Sequence, residues 1–498
     1  MKHPCSVLVR GARIYDGTGA PPYVADLAID GDRISRLGSL DALTASIEID
    51  GEALSLAPGF IDVHTHDDFA ALRYPDLAFK TRGGVTTCIV GNCGFGPAPF
   101  EQAVSMIDSL TPGTRPERWD GHAGYAAVLE ARGIGANVGV LAGHGTLRLA
   151  AMGRDAREPE VHELETMKSM LREALDAGAL GLSSGLIYDP GKHATTNELA
   201  DLASVMRGSG ALYATHMRDE AEGLVASVEE AITIGARAGV PVQISHHKAA
   251  GRDNWGLVSE SLRLIEAAQA RGESVHADQY PYTAGSTMLR AILENGAFQP
   301  GVPGGIGKLL PEDVLVASAP GRIEWEGRTI AALSKEFDLD ARQAAEQVVT
   351  QAPGATAVLH MMSEDDVRTV LRHASTMIGS DGLPTLEGRP HPRLFGSFAR
   401  VLGHYARDEG VLDMATAIHR MTGFSAGKFG LVDRGLIREG AYADLVLFDP
   451  GSIIDRGTYE NPNRYPAGID TVIVNGISVV RAGEVQRVLP GRVLRRGN

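Results

Sequence analysis

The chain has 498 residues, 44% hydrophobic and 22% charged, with a net charge of −15. That size and apolar content suit a large barrel with a smaller companion domain. The acidic balance, without a basic patch, argues against a nucleic-acid partner, and no run of about 18 apolar residues offers a membrane span.

Three cysteines, Cys5, Cys88 and Cys93, are too few and odd in number for a disulfide framework and suit a reducing compartment. The opening MKHPCSVLVRGARIYDG lacks the apolar stretch of a signal peptide. A cytoplasmic location is expected.

Along the chain, residues 5–57 read as short strands at 7–9, 26–29 and 33–37, punctuated by Gly and Asp. The texture then changes to strand followed by helix. Strand candidates end at His64, Cys93, His144, Ser184, His216, His246, Asp278 and Asp381. Helical stretches at 163–177, 224–238 and 262–271 carry apolar residues at three- and four-residue spacing, and Gly178, Gly239 and Gly272 follow them. Eight βα units predict an α/β fold, a TIM-like (β/α)8 barrel over 58–432. About 95 residues separate the seventh and eighth strands, more than a loop needs. A lid insertion is expected within 284–345, hinged near Gly301, Gly304, Gly305 and Gly307. Strands return at 443–448, 471–474 and 478–480. Residues 1–57 and 433–498 are expected to pair into one small β domain, because neither end alone has enough strands to bury a sheet face.

Polar residues gather at the ends of these strands, where barrel active sites lie. His64 and His66 are two apart on the first strand, so both imidazoles can face the mouth. Cys93, His216, His246 and Asp381 end four other strands. Imidazole and thiolate favour zinc over magnesium or calcium, and three protein ligands with an open position make a catalytic site. A carboxylate such as Asp381 can take a proton from an attacking water and give it to a leaving nitrogen. His144 and His247 lie near the same rim and read as supporting or core residues.

Several stretches carry a family resemblance: APGFIDVHTHDD at 57–68, GVTTCIVGNCG at 84–94, THMRDE at 215–220, SHHK at 245–248, YPYTAGST at 280–287, GSDGLP at 379–384 and TYENPNRYPAGI at 458–469. Together they resemble the D-aminoacylase, or N-acyl-D-amino-acid deacylase, family of the amidohydrolase superfamily. The resemblance implies a zinc-dependent hydrolase that cleaves N-acyl-D-amino acids, small-molecule substrates, to a carboxylic acid and a free amino acid. It implies one tight zinc on Cys93, His216 and His246. A weaker second site would use His64, His66, Cys93 and Asp381. Asp381 would be general base and then general acid. Arg393 would grip the substrate α-carboxylate, with Tyr280 and Ser286 beside it and Lys248 and Tyr188 lining the pocket. The stretch around TLEGRPHP is about one residue longer than the family pattern, so Arg389 is the alternative anchor. A cyclic amidase of the hydantoinase or dihydroorotase type, and a barrel that binds metal or ligand without catalysis, are the competing readings. The residues alone set neither D nor L preference, the number of metals, nor the oligomeric state.

Overall fold

A computed structural model describes residues 5–107, 110, 111, 114, 116–299 and 305–497. Eight short, buried, parallel strands form the barrel: β1 (Phe60–Asp62), β2 (Val85–Val90), β3 (Asn137–Gly143), β4 (Gly181–Gly185), β5 (Leu212–His216), β6 (Val242–Ile244), β7 (Val275–Gln279) and β8 (Thr376–Ile378). They pair in sequence order from β1 to β8. A parallel bridge between Thr65 and Gly382 closes the ring. Ile61, Ile89, Leu141, Leu212 and Met377 on five of these strands share one apolar cluster with Phe429 and Leu431, so the barrel is a packed core rather than a channel.

The helices follow the expected periodicity. In Leu224–Ala238 the residues at three- and four-residue spacing, Leu224, Val228, Ala231 and Ala238, are buried, and Gly239 ends the helix at φ 72°, a conformation that glycine adopts without a Cβ penalty. Val161–Asp176 opens with a capping box between Glu160 and Glu163. Among the described residues no helix is long and apolar enough to cross a membrane.

Both chain ends build a second, nine-stranded sheet. Its join is Leu445–Phe448 running antiparallel to Ser55–Pro58. Val7, Val9, Leu27, Ile29, Leu56, Leu445 and Ile473 fill its own core. Two stretches of 433–498 depart from the expected grouping. Val493–Leu494 leaves the sheet and pairs in parallel with β3 of the barrel. The segment around Asp455 and Tyr459 reaches the barrel side, where Asp455 meets Tyr282 and Arg400 and Tyr459 packs on His391.

The insertion between β7 and β8 is larger than the 284–345 expected. It is a three-stranded antiparallel sheet in which Thr356–His360 lies between Ala284–Met288 and Val314–Ser318. The helices Leu289–Glu294, Ile330–Phe337 and Ala341–Gln351 accompany it. Its central strand is the last in sequence, so no boundary at 345 could complete the sheet. Of the expected hinge glycines, Gly301 and Gly304 lie outside the described residues. Gly305 is bonded to the barrel rim through its carbonyl, which accepts from the Glu220 N–H at 2.7 Å.

Candidate active site

Cys93, His64, His66, His216, His246 and Asp381 converge at the C-terminal mouth of the barrel, and all are buried. The Cys93 Sγ lies 3.4 Å from His64 Nε2, 3.8 Å from His216 Nδ1 and 3.6 Å from His246 Nε2. Asp381 Oδ1 lies 3.5 Å from His64 Nε2 and 3.3 Å from His66 Nε2. The donor atoms of His64, Cys93 and His246 lie within 4.8 Å of one another, as do those of His64, His66 and Asp381. These two sets share His64, and a third, His216, Glu220 and His246, shares His246 with the first. One thiol and several imidazoles are the chemistry that holds a borderline-soft divalent ion, so the residues present fit zinc.

Backbone strain marks the same place. Cys93, His246 and Asp381 have φ of 53°, 36° and 49°, a left-handed conformation that costs a non-glycine residue roughly 1–3 kcal/mol and persists only where neighbours enforce it. The neighbours are visible. The Asp381 N–H donates to the His64 carbonyl at 2.7 Å, and the His246 N–H donates to Asp278 Oδ1 at 2.8 Å. Beneath them Lys80, fully buried, donates to Asp62 at 2.8 Å, Thr65 at 2.9 Å and Ser380 at 2.8 Å, stitching the end of β1 to the end of β8.

The electrostatics favour ionised sulfur and carboxylate. Burial pushes the Cys93 thiol up, but the charge of His64 and hydrogen bonds from His216, His246 and His64 hold it well below its ordinary value. Burial likewise opposes ionisation of Asp381, and Arg393, His246, His66 and His64 outweigh it, so its carboxyl sits well below the usual range. Burial opposes the charge on His66, but hydrogen bonds to Asp381 and Cys93 and their charges outweigh it and raise the imidazole pKa to about 9.

Arg393 opens the helix Arg393–Arg400 and is only 1% exposed. Its Nη2 reaches Asp381 Oδ2 at 2.8 Å and donates to the Ser286 carbonyl at 3.0 Å. Its guanidinium lies over the Tyr280 ring, 4.3 Å from the centroid. Its Nε and Nη1 have no hydrogen-bond partner among the described residues. Arg389 is exposed and lies against Gly327 in the insertion, away from the cluster. Tyr188, Lys248, Tyr280 and Ser286 line one small cavity of about 30 Å³ with His216, His246 and Asp381. Tyr188 also borders a larger one of about 460 Å³ with Phe95, Met106, Met288 and Arg290. His144 bonds Glu198 at 2.9 Å and His247 bonds Ser261 at 3.0 Å, both outside the cluster.

Sequence reasoning placed Asp278 at a strand end without giving it a role, and missed Glu220 and Lys80. Asp278 faces His64 Nδ1 at 3.3 Å. Glu220 meets His246 Nδ1 at 2.9 Å and Lys248 at 2.6 Å. Its one signal was its place in THMRDE, four residues after His216.

The amidohydrolase family model matches residues 48–289 and 326–480. A D-aminoacylase of Alcaligenes xylosoxydans xylosoxydans is 42% identical over 99% of this chain and 98% of its own. The chain belongs to the D-aminoacylase family of amidohydrolases. Within this family a crystal structure of D-aminoacylase superposes with a TM-score of 0.89 at 40% identity, covering 99% of this chain and 100% of that one. An N-acyl-D-glutamate deacylase from Bordetella bronchiseptica, crystallised with zinc and a phosphonate mimic of the tetrahedral intermediate, gives a TM-score of 0.88 at 38% identity, covering 99% and 100%. A D-hydantoinase, at 16% identity and a TM-score of 0.59, shares the fold alone. The expected family and barrel are therefore found, and the chain is a metal-dependent amidohydrolase.

Proposed function

We propose that the chain hydrolyses N-acyl-D-amino acids to a carboxylic acid and the free D-amino acid, with zinc held by Cys93, His216 and His246. His64, His66, Cys93 and Asp381 form a second, weaker site. Zinc held by Cys93, His216 and His246 would supply Lewis acidity toward the amide carbonyl and acidify water. The single observation that carries the reading is Arg393: a buried guanidinium with two donors that have no partner among the described residues, paired to the carboxylate of the donor cluster. Buried N–H groups without partners are costly, and the planar fork matches a carboxylate. An α-carboxylate on the substrate satisfies them and brings the amide toward Asp381. A hydantoin or simple dihydropyrimidine ring, with no free carboxylate, leaves them unsatisfied.

Asp381 has divided duties. Oδ2 is held by Arg393 and Oδ1 faces the imidazoles. As water adds to the amide carbon, Asp381 takes its proton. The same proton then passes to the nitrogen as the C–N bond breaks, and the amine leaves neutral. Tyr280 supports the guanidinium from below, Ser286 receives its Nη2, and Tyr188 and Lys248 close the walls of the pocket. The D configuration is carried over from the relatives named above.

The test is amine release from paired D and L N-acetyl amino acids by the zinc-loaded protein. Turnover of the D series is expected. Hydrolysis of hydantoins or dihydropyrimidines, with none of linear N-acetyl amino acids, refutes the proposal.

A further inference from the structure

Glu220 is not among the residues assigned to zinc above, yet it touches two of the imidazoles that are. It sits in the loop after β5, and its backbone is clamped on both sides: its N–H donates to the Gly305 carbonyl, and its carbonyl accepts from the Ala250 N–H, each at 2.7 Å. The side chain is 1% exposed. Oε1 lies 2.6 Å from Lys248 Nζ and 2.9 Å from His246 Nδ1. Oε2 lies 3.8 Å from His216 Nε2, a buried ring nitrogen with no hydrogen-bond partner among the described residues. The two rings face Cys93 through their other nitrogens, His246 through Nε2 and His216 through Nδ1.

Lys248 makes the choice of tautomer critical. Its ammonium donates to Glu220 and to the His246 carbonyl at 2.8 Å, and it also lies 2.9 Å from His246 Nδ1. Two arrangements compete. With the proton on Nδ1, His246 donates to Glu220 and the Nε2 lone pair is free toward Cys93. With Lys248 donating to Nδ1, the ring proton moves to Nε2 and the lone pair that a metal needs is gone. We propose that Glu220 is the positioning residue that selects the first arrangement. It accepts the Nδ1 proton of His246, occupies the Lys248 ammonium, and holds the Nε2 proton of His216 by its charge. Glu220 also lies within ligand reach of His216 and His246, but both rings turn their other nitrogens to Cys93 and Oε1 is engaged by Lys248 and His246, so Glu220 works through the ligands and not as one. This inference rests on the zinc reading given above.

The experiment is zinc affinity by competition with a chromophoric chelator, on wild-type protein and on Glu220→Gln, with thermal melts of both metal-free proteins. Partners of metal-bound histidines contribute about 10–100-fold in metal affinity. We expect a weakening of that order in Glu220→Gln, and a changed visible spectrum of the cobalt-loaded protein. Folded Glu220→Gln that binds zinc within twofold of wild type overturns the inference. Wild-type protein that binds no zinc at all instead fails the reading beneath it. If Glu220→Gln does not fold, neutron diffraction of the wild type decides. Deuterons on His246 Nδ1 and His216 Nε2 support the inference, and a deuteron on His246 Nε2 overturns it.

Discussion

Arg393→Ala separates anchoring from proton transfer when it is combined with a change in the substrate. The guanidinium, 1% exposed, has two donors without a partner among the described residues. A carboxylate filling them gains two charge-assisted hydrogen bonds, each about 1.5–3 kcal/mol. The sum, about 3–6 kcal/mol, corresponds to roughly 10²–10⁴-fold in kcat/KM at about 1.36 kcal/mol per tenfold. The assay is kcat/KM for an N-acetyl amino acid and for its α-carboxamide, on wild type and on Arg393→Ala. Wild type is expected to prefer the free acid by about that factor, and the mutant to lose most of the preference. The mutation also strips Asp381 of its counter-charge, which slows both substrates. The cycle cancels that shared loss and leaves the anchoring energy. An equal rate on acid and amide by the wild type, or an undiminished preference in the mutant, refutes the anchor.

Three further changes test other parts of the site. Asp381→Asn is expected to keep zinc, by elemental analysis, while kcat falls about 10²–10⁴-fold; a wild-type rate assigns the proton to another group. Cys93→Ala removes the sulfur that three imidazoles face, and zinc content should collapse; full retention of metal and activity removes Cys93 from the ligand set. Lys80→Met leaves Asp62 and Asp67, 2.8 and 3.4 Å from the lost ammonium, buried without a counter-charge. Stripping one partner from a buried pair costs about 3–5 kcal/mol, and an unchanged melting temperature would mean the seam between β1 and β8 does not depend on it.

Much of this architecture could be read directly from the residues. The barrel strands end close to the polar residues read as their ends: β5 stops at His216, while β1, β2, β6 and β8 stop at Asp62, Val90, Ile244 and Ile378, two or three residues before the candidates His64, Cys93, His246 and Asp381. What escaped were contacts made by closure. Lys80 and Ser380 are 300 positions apart, and only the meeting of first and last strands brings them together. Glu220 is four residues from His216, but β5 ends at His216 and a loop follows, so helical spacing gave no signal. The insertion was read as a lid ending by 345 because its central strand, Thr356–His360, pairs with two segments that precede it. Arg393 was separated from Arg389 only by the turn that buries one and leaves the other in solvent.

The spacing of the donor residues has a consequence for the birth of the protein. His64 and Asp381 are 317 positions apart (381 − 64), and ribosomes add about 5–20 residues per second. The earliest donors therefore wait roughly 15–60 s for the latest at that pace. Through that interval Cys93 emerges in a nascent chain without Asp381 or a closed ring around it, and its sulfur meets whatever oxidants and stray metal ions the cell contains. Protection of that thiol during synthesis, by chaperones or by a reducing thiol pool, then becomes a requirement for making active enzyme in an expression host.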